Sequence, residues 1–241
     1  MNKAMYEIIE SFMYNCMKDA AHDPEHIFRV LYQSLNIASK RTENINYDVL
    51  IASCLLHDIG REEQFKNQNI CHAEIGGIMA KEFLLENGWS EKDAEHVNRC
   101  ISSHRFRGNN VPETLEAKIL FDSDKLDVIG CLGIARTLMY KGTVGGKLYE
   151  TKNGEICFGE NKNDEETFFK EYNVKLKNLY NKFYTKEAEE MARTQREYAQ
   201  LFYDKLVEQI KETYSSKEVL NKYILVPSHY LGLAEKGNNP V

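Results

Sequence analysis

Apolar residues recur along this chain at helical rather than strand spacing. Over residues 2–20, Met5, Ile8, Ile9, Phe12, Met13, Cys16 and Met17 fall on one stripe and predict an amphipathic helix. A second helix is expected from Asp23-Pro24, an N-cap aspartate followed by a proline at the first helical position; its stripe is Ile27, Val30, Leu31, Leu35 and Ala38. The run Tyr47–Asp58 differs from both. Val49, Leu50, Ile51, Ala52, Cys54, Leu55 and Leu56 leave it almost no polar face, so it reads as a central helix with Gly60 as its stop.

Further helices are expected at 71–87, 91–103, about 112–127 and 129–141. Ser90-Glu91-Lys92-Asp93 gives the second of these a capping-box-like start, and Pro112 suits the first turn of the third. Five glycines (142, 145, 146, 154 and 159) then break the pattern, and Asn153-Gly154 between Leu-Tyr-Glu-Thr and Glu-Ile-Cys-Phe is a hairpin signal. Amphipathic helices are expected again at 164–183 and 186–214, with Thr185 as a cap between them. The predicted fold is all-α: one domain over 1–215, with a core at 20–140, a small β-hairpin insertion near 143–158, C-terminal helices at 164–214 and a tail at 216–241.

The chain's 241 residues are enough to bury a substantial core. Its formal net charge of -6 argues against broad contact with DNA or RNA, while leaving room for a local basic pocket. No apolar run approaches the length of a bilayer span, and Glu7 and Glu10 interrupt any secretory pattern at the N-terminus. Six cysteines (16, 54, 71, 100, 131 and 157) are scattered without C-x-x-C spacing, as expected of reduced, mostly buried thiols in a cytoplasmic protein.

Six of the seven histidines lie between positions 22 and 104. His57-Asp58 closes the most apolar helix, where a buried carboxylate is costly unless it is paired or bound to metal. Taken alone the pair equally suits a histidine near the helix dipole beside an outward-turned aspartate. His26 sits one turn into a capped helix, where a lone histidine is more often packed or solvated than a ligand. Asp122, Asp124 and Asp127 end another helix; Asp124 and Asp127 share a face at i, i+3 and Asp122 points elsewhere. His72 precedes Gly76 and Gly77, which allow close helix approach, and His104 precedes Arg105. His96 reads as solvent-facing, His22 as at most a supporting residue, and His229 carries no signal.

His26, His57-Asp58 and Asp124 in this order resemble the H…HD…D signature of the HD superfamily. His22-Asp23-x-x-His26-x-x-Arg29-Val30 is similar to the first motif of its small bacterial members, and Leu55-Leu56-His57-Asp58-Ile59-Gly60-Arg61 to their second. Glu116-Ala117 through Gly130 resembles the family's E-A-x-x-x-x-D-A-D-x-L-D-x-x-G segment, with Ser123 where alanine is usual. The resemblance extends more loosely to about residue 210. It implies a helical fold, a divalent metal among the helices, and hydrolysis of phosphate esters or anhydrides. It implies His26, His57, Asp58 and Asp124 as metal ligands, with Asp58 and Asp127 as candidate catalytic residues, the latter either supporting a ligand from behind or orienting water.

Two imidazoles and two carboxylates suit one first-row divalent ion, Mn²⁺ first, with Fe, Co, Ni or Zn as alternatives. Arg29 and Lys125 are the favoured phosphate contacts, ahead of Arg61 and Arg105. In related proteins the positions of His72 and His104 hold either substrate phosphate or a second metal, and phosphate contact is the preferred expectation here. The expected substrate is a small nucleotide, most specifically a nucleoside triphosphate cleaved to pyrophosphate, rather than a nucleic acid polymer or a membrane. The alternatives are a 5'-nucleotidase-type phosphomonoesterase, a di-iron oxygenase and a non-catalytic nucleotide sensor. Oligomeric state is not legible.

Overall fold

The helix with the least polarity lies at the centre. In a computed structural model, which describes residues 1–17, 24–105, 110–152, 154–161 and 163–224, Tyr47–Leu56 forms α3 and buries seven of its ten residues. Asn46 caps it, its side chain accepting from the Val49 amide. Leu50, Leu55 and Leu56 are fully buried, each contributing roughly 1.5–3 kcal/mol relative to exposure.

The surrounding helices are α1 (Lys3–Cys16), α2 (Pro24–Ala38), α4 (Arg61–Lys66), α5 (His72–Glu86), α6 (Glu91–Ser102) and α7 (Leu115–Leu126). Helices α1, α2, α5, α6 and α7 pack on α3, and α2 also packs along α7. The apolar stripe of α2 supplies Ile27, Val30 and Leu31 to this core. Beyond it come α8 (Gly130–Thr143), a hairpin of β1 (Glu150–Lys152) and β2 (Glu155–Cys157), α9 (Phe168–Val174), α10 (Lys186–Ser215) and α11 (Lys217–Ile224). The antiparallel hairpin pairs Glu150 with Cys157 and Lys152 with Glu155, and Gly154 takes the positive φ of +82° its turn requires. Asn153 lies outside the described residues.

Several boundaries differ from expectation for local reasons. Helix α7 starts at Leu115, not near Pro112, because Thr114 is the cap and accepts from the Ala117 amide. The expected helix over 164–183 is only α9, capped by Thr167, followed by one 3-10 turn at Leu176–Asn178. Helix α4 was not expected, and α11 occupies part of the expected tail. The Asp23 cap and His22, His229 and the chain beyond 224 fall outside the described residues. No helix among the described residues is long and apolar enough to cross a membrane. No disulfide joins the six cysteines; Cys54 and Cys100 are buried, Cys131 is exposed and the other three are intermediate.

The chain divides into two compact units, Met1–Ala199 and Gln200–Val241. The first contains every residue discussed below. The second holds the C-terminal part of α10 and α11.

Candidate metal centre

Helix α3 ends at Leu56, and the chain turns at once: the Arg61 amide donates to the Asp58 carbonyl. Because the turn replaces another helical rise, His57 and Asp58 direct their side chains into one buried space, at 0 % and 2 % exposure. Gly60 then makes the close approach on which the site depends. A Cβ there would lie 2.3 Å from the His72 carbonyl oxygen and 2.7 Å from the Gly76 nitrogen. The glycine is required by packing of the turn against α5 and not by a left-handed φ, which corrects its reading as a helix stop.

Four imidazoles converge on Asp58, and each is turned the same way. His26 Nδ1 lies 2.7 Å from Asp127 Oδ2, His57 Nδ1 2.8 Å from the Cys54 carbonyl, His72 Nδ1 2.8 Å from Gln64 Oε1, and His104 Nδ1 2.6 Å from the Ile101 carbonyl. At His57 and His104 the partner is a main-chain carbonyl, so the ring proton belongs on Nδ1 and Nε2 presents a lone pair; at His26 and His72 an acceptor and a guanidinium, Arg136 at 2.9 Å and Arg105 at 3.3 Å, both stand at Nδ1. His26 Nε2 and His57 Nε2 both lie 3.6 Å from Asp58 Oδ2, while His72 Nε2 and His104 Nε2 lie 3.5 and 3.7 Å from Asp58 Oδ1. Asp124 Oδ1 joins the first group, 3.3 Å from His26 Nε2 and 4.0 Å from His57 Nε2.

Lone pairs facing a carboxylate at these distances repel unless a positive charge stands between them. Asp58 Oδ1 and His72 Nε2 are buried and find no hydrogen-bond partner among the described residues. Such orphaned atoms are expensive in a protein interior. The arrangement fits a cation: His26, His57 and Asp58 offer ligand atoms within 4.8 Å of one another, and so do Asp58, His72 and His104. The donor set of imidazole and carboxylate suits a borderline first-row divalent metal.

Charge distinguishes His26 from His57 and His72. Burial lowers His57 to about 4 and His72 to about 3, so both are neutral ligands at neutral pH. Burial also opposes protonation of His26, but its hydrogen bonds with Asp124, Asp127 and Asp58 raise it to about 11. A proton on His26 thus takes the place of the cation. Burial would raise Asp58, yet His57, Arg61 and His26 hold it well below the ordinary carboxylate range. Asp124 is likewise lowered, burial being outweighed by its hydrogen bond with His26.

The remaining candidates separate. Asp127 sits on the far side of the His26 ring, where its Oδ1 accepts from Arg29 Nε at 2.6 Å and its Oδ2 accepts from Arg136. It positions His26, in keeping with the first of the two roles expected of it; water orientation at the cluster does not follow from this placement. Lys125 was expected to meet phosphate, but its ammonium donates to the Lys182 carbonyl at 2.9 Å and lies over the Phe121 and Phe183 rings. Arg61 Nε donates to Asp58 Oδ2 at 2.6 Å, and Arg105 lies 3.3 Å from His72 Nδ1. His96 is not solvent-facing; it contacts Thr114 Oγ1 at 3.0 Å and Glu116 Oε2 at 3.3 Å.

Asp122 points away from the cluster, in keeping with the helical phase. It accepts from the Tyr184 amide, the Thr185 amide and the Thr185 hydroxyl, and so fixes the start of α10. Sequence reasoning missed Arg136 and Gln64. Neither falls in a motif, and only the packing of α8 and α4 brings them to a histidine.

The geometry agrees with known proteins. The HD domain family matches residues 25–129. The uncharacterized protein YpgQ of Bacillus subtilis is 26% identical over 192 residues, which are 77% of this chain and 84% of that one. A predicted HD superfamily hydrolase from an uncultured Thermotogales bacterium has a crystal structure with a TM-score of 0.58 and 26% identity, covering 87% of this chain and 99% of the other. The crystal structure of YpgQ in complex with ADP gives a TM-score of 0.65 at 24% identity, covering 85% and 97%. Helical architecture, the His/Asp cluster and the relatives agree: residues 25–129 match the HD domain, and over most of its length the chain is similar to HD superfamily hydrolases, which supports its reading as a metal-dependent phosphohydrolase.

Proposed function

We propose that this chain hydrolyses a phosphoanhydride bond of a small nucleotide in the cytoplasm, a (deoxy)nucleoside triphosphate releasing pyrophosphate being the favoured substrate. The observation that carries the reading is the cluster of inward-facing lone pairs around Asp58, rimmed by arginines in a chain of net charge -6. A phosphate chain needs positive charge beyond a metal, and Arg29, Arg61 and Arg136 are each partly exposed beside the cluster. The ADP bound in the YpgQ crystal structure supports a nucleotide ligand. Cysteines not joined by disulfides suit a reducing compartment.

His26, His57, Asp58 and Asp124 would hold the metal. When bound, a divalent ion of the Mn²⁺ type polarises a phosphoryl oxygen and makes a water more acidic. The protein's own contributions are separate. Asp58 Oδ1, buried and without a partner, is placed to accept a proton from the attacking water. Asp127 holds His26 in one tautomer through Nδ1. Arg29 and Arg136 share the single carboxylate of Asp127, which leaves guanidinium charge available to an incoming phosphate.

A second reading concerns His72 and His104. With Nδ1 of His104 committed to the Ile101 carbonyl, its Nε2 is an acceptor and meets a phosphate oxygen poorly, while His72 Nδ1 stands between Gln64 Oε1 and the Arg105 guanidinium. Their orientation favours a second cation on the Oδ1 side of Asp58 over the phosphate contact expected from sequence. The test incubates pure protein with Mn²⁺ and a nucleotide panel, separates the products and counts bound metal. Pyrophosphate with a monophosphate is expected. Orthophosphate from monophosphates alone redirects the assignment to a 5'-nucleotidase; inactivity with two bound irons and oxygen uptake redirects it to an oxygenase.

A further inference from the structure

Behind the cluster, on the Nδ1 side of His26, the first unit contains a cavity of about 550 Å³ between α2, α7 and α10. Its size falls in the range of roughly 300–1,000 Å³ typical of small-molecule sites. Arg29 and Asp127 form the wall it shares with the cluster and are ion-paired there, Asp127 also serving Arg136. The rest of the lining carries no formal charge: amides from Gln33, Asn36 and Gln195, the Ser123 hydroxyl, and apolar side chains.

Two features mark this as a built site. Ser123 is fully buried and its hydroxyl finds no hydrogen-bond partner among the described residues. An unmade hydrogen bond of this kind costs roughly 1–3 kcal/mol, which a ligand that pairs with it recovers. Ser123 is also the position where the chain departs from the alanine usual in its motif. The second feature is Gln33, whose amide nitrogen donates only to the Met191 sulfur, at 2.8 Å, and sulfur is a weak acceptor. Gln195 is held over Gly130, whose φ of +65° and missing Cβ admit the amide: a Cβ there would lie 2.3 Å from Gln195 Oε1. At the rim the Tyr32 ring is 62% exposed and offers a flat apolar face.

We infer that this cavity takes the nucleoside end of the substrate, its base and sugar, while the phosphates lie toward Arg29 and the cluster. The inference rests on the nucleotide reading above. Arg29 is the one cation among the lining residues and stands at the wall shared with the cluster, so a phosphate group would find no positive charge deeper in the cavity. A neutral, planar, hydrogen-bonding group matches amides, an orphaned hydroxyl and an aromatic rim. Ser123 and Gln33 are then specificity determinants, and Tyr32 covers the base.

The test titrates Mn²⁺-loaded full-length protein with ADP and, separately, with inorganic pyrophosphate by calorimetry, for the native chain, Ser123→Ala and Gln33→Leu. Ser123→Ala restores the residue usual at that position, so folding is not at risk. Affinity for ADP should fall about tenfold in each variant, the loss of one good hydrogen bond, without a matching fall for pyrophosphate. Equal losses for both ligands, no loss for either, or no ADP binding by the native chain overturns the inference. Variant-sensitive ADP binding in a protein that hydrolyses no nucleotide sinks the proposed function and leaves the cavity assignment standing. Hydrolysis with ADP affinity indifferent to both variants does the reverse.

Discussion

The two sides of Asp58 hold the same kinds of atoms and differ in charge. On the Oδ2 side, His26 and His57 meet a second carboxylate, Asp124, and His26 is braced by Asp127, itself shared with two arginines. On the Oδ1 side, His72 and His104 meet no further carboxylate in the cluster, and their braces are an amide oxygen and a main-chain carbonyl. Carboxylate braces raise the basicity of a ligating imidazole more than neutral acceptors do. On the proposed reading, the difference makes Asp58 serve two cation positions of unequal affinity, the stronger at Oδ2, with its second carboxylate, and the weaker at Oδ1.

The most damaging way to test this removes what both sides share. Asp58→Ala should abolish metal binding and turnover altogether, and His57→Ala should do the same for the Oδ2 position, with helical content by circular dichroism nearly unchanged. Full metal occupancy in either variant would break the assignment. Next come two aspartates of one helix. Asp124→Asn should lose metal affinity with little change in melting temperature. Asp122→Asn should do the opposite, destabilising by about 1–3 kcal/mol, because Asp122 accepts three hydrogen bonds at the start of α10 and faces away from the cluster. A larger loss of metal affinity in the Asp122 variant would reverse the register. A subtler change is Asp127→Asn, which keeps the shape of the brace and removes its charge; it should weaken metal binding about 10–100-fold. If the Oδ1 side is the weaker one, His72→Ala should lower metal stoichiometry at limiting metal while leaving the tighter site filled.

Much of this was legible in the sequence because its causes are local. The all-round apolarity of α3 announces a central helix, and an aspartate at its end announces either a pair or a metal. The i, i+3 relation selects Asp124 and Asp127 over Asp122. What was not legible depends on packing between distant segments. Lys125 sits one position from a ligand, yet helical rotation turns it toward Phe183 and the Lys182 carbonyl. Arg136 reaches both Asp127 and His26 of α2, and no spacing rule encodes that pair of contacts. Gly60 was visible as a glycine but not as the contact that lets α5 bring His72 to Asp58.

The smallest expected effect comes from a histidine–carboxylate pair outside the cluster, which serves as a control for it. His96 lies 3.3 Å from Glu116 Oε2, joining α6 to α7, and the other Glu116 oxygen accepts from the Asn46 amide at 2.8 Å. Neither residue leaves an orphaned buried atom, so here a proton suffices where the cluster calls for a metal. Hydrogen bonds with Cys100 and Glu116 raise His96 to about 10, while Glu116, despite burial, is lowered to about 2 by His96 and the Asn46 amide. The signs of the two contributions are opposite. A raised histidine stabilises fully below its unfolded value near 6.5 and loses that contribution as pH climbs through about 10; a lowered glutamate stabilises above its unfolded value near 4.5 and loses it as pH falls through about 2. The pair therefore contributes most between about pH 4.5 and 6.5. His96→Gln should remove up to about 1 kcal/mol at pH 6 and less at pH 9, since the pair is partly exposed. Urea unfolding of metal-free protein at the two pH values measures this. An equal loss at both would mean that His96 contributes shape rather than charge. A loss of metal affinity in the same variant would mean that the control is not independent of the cluster.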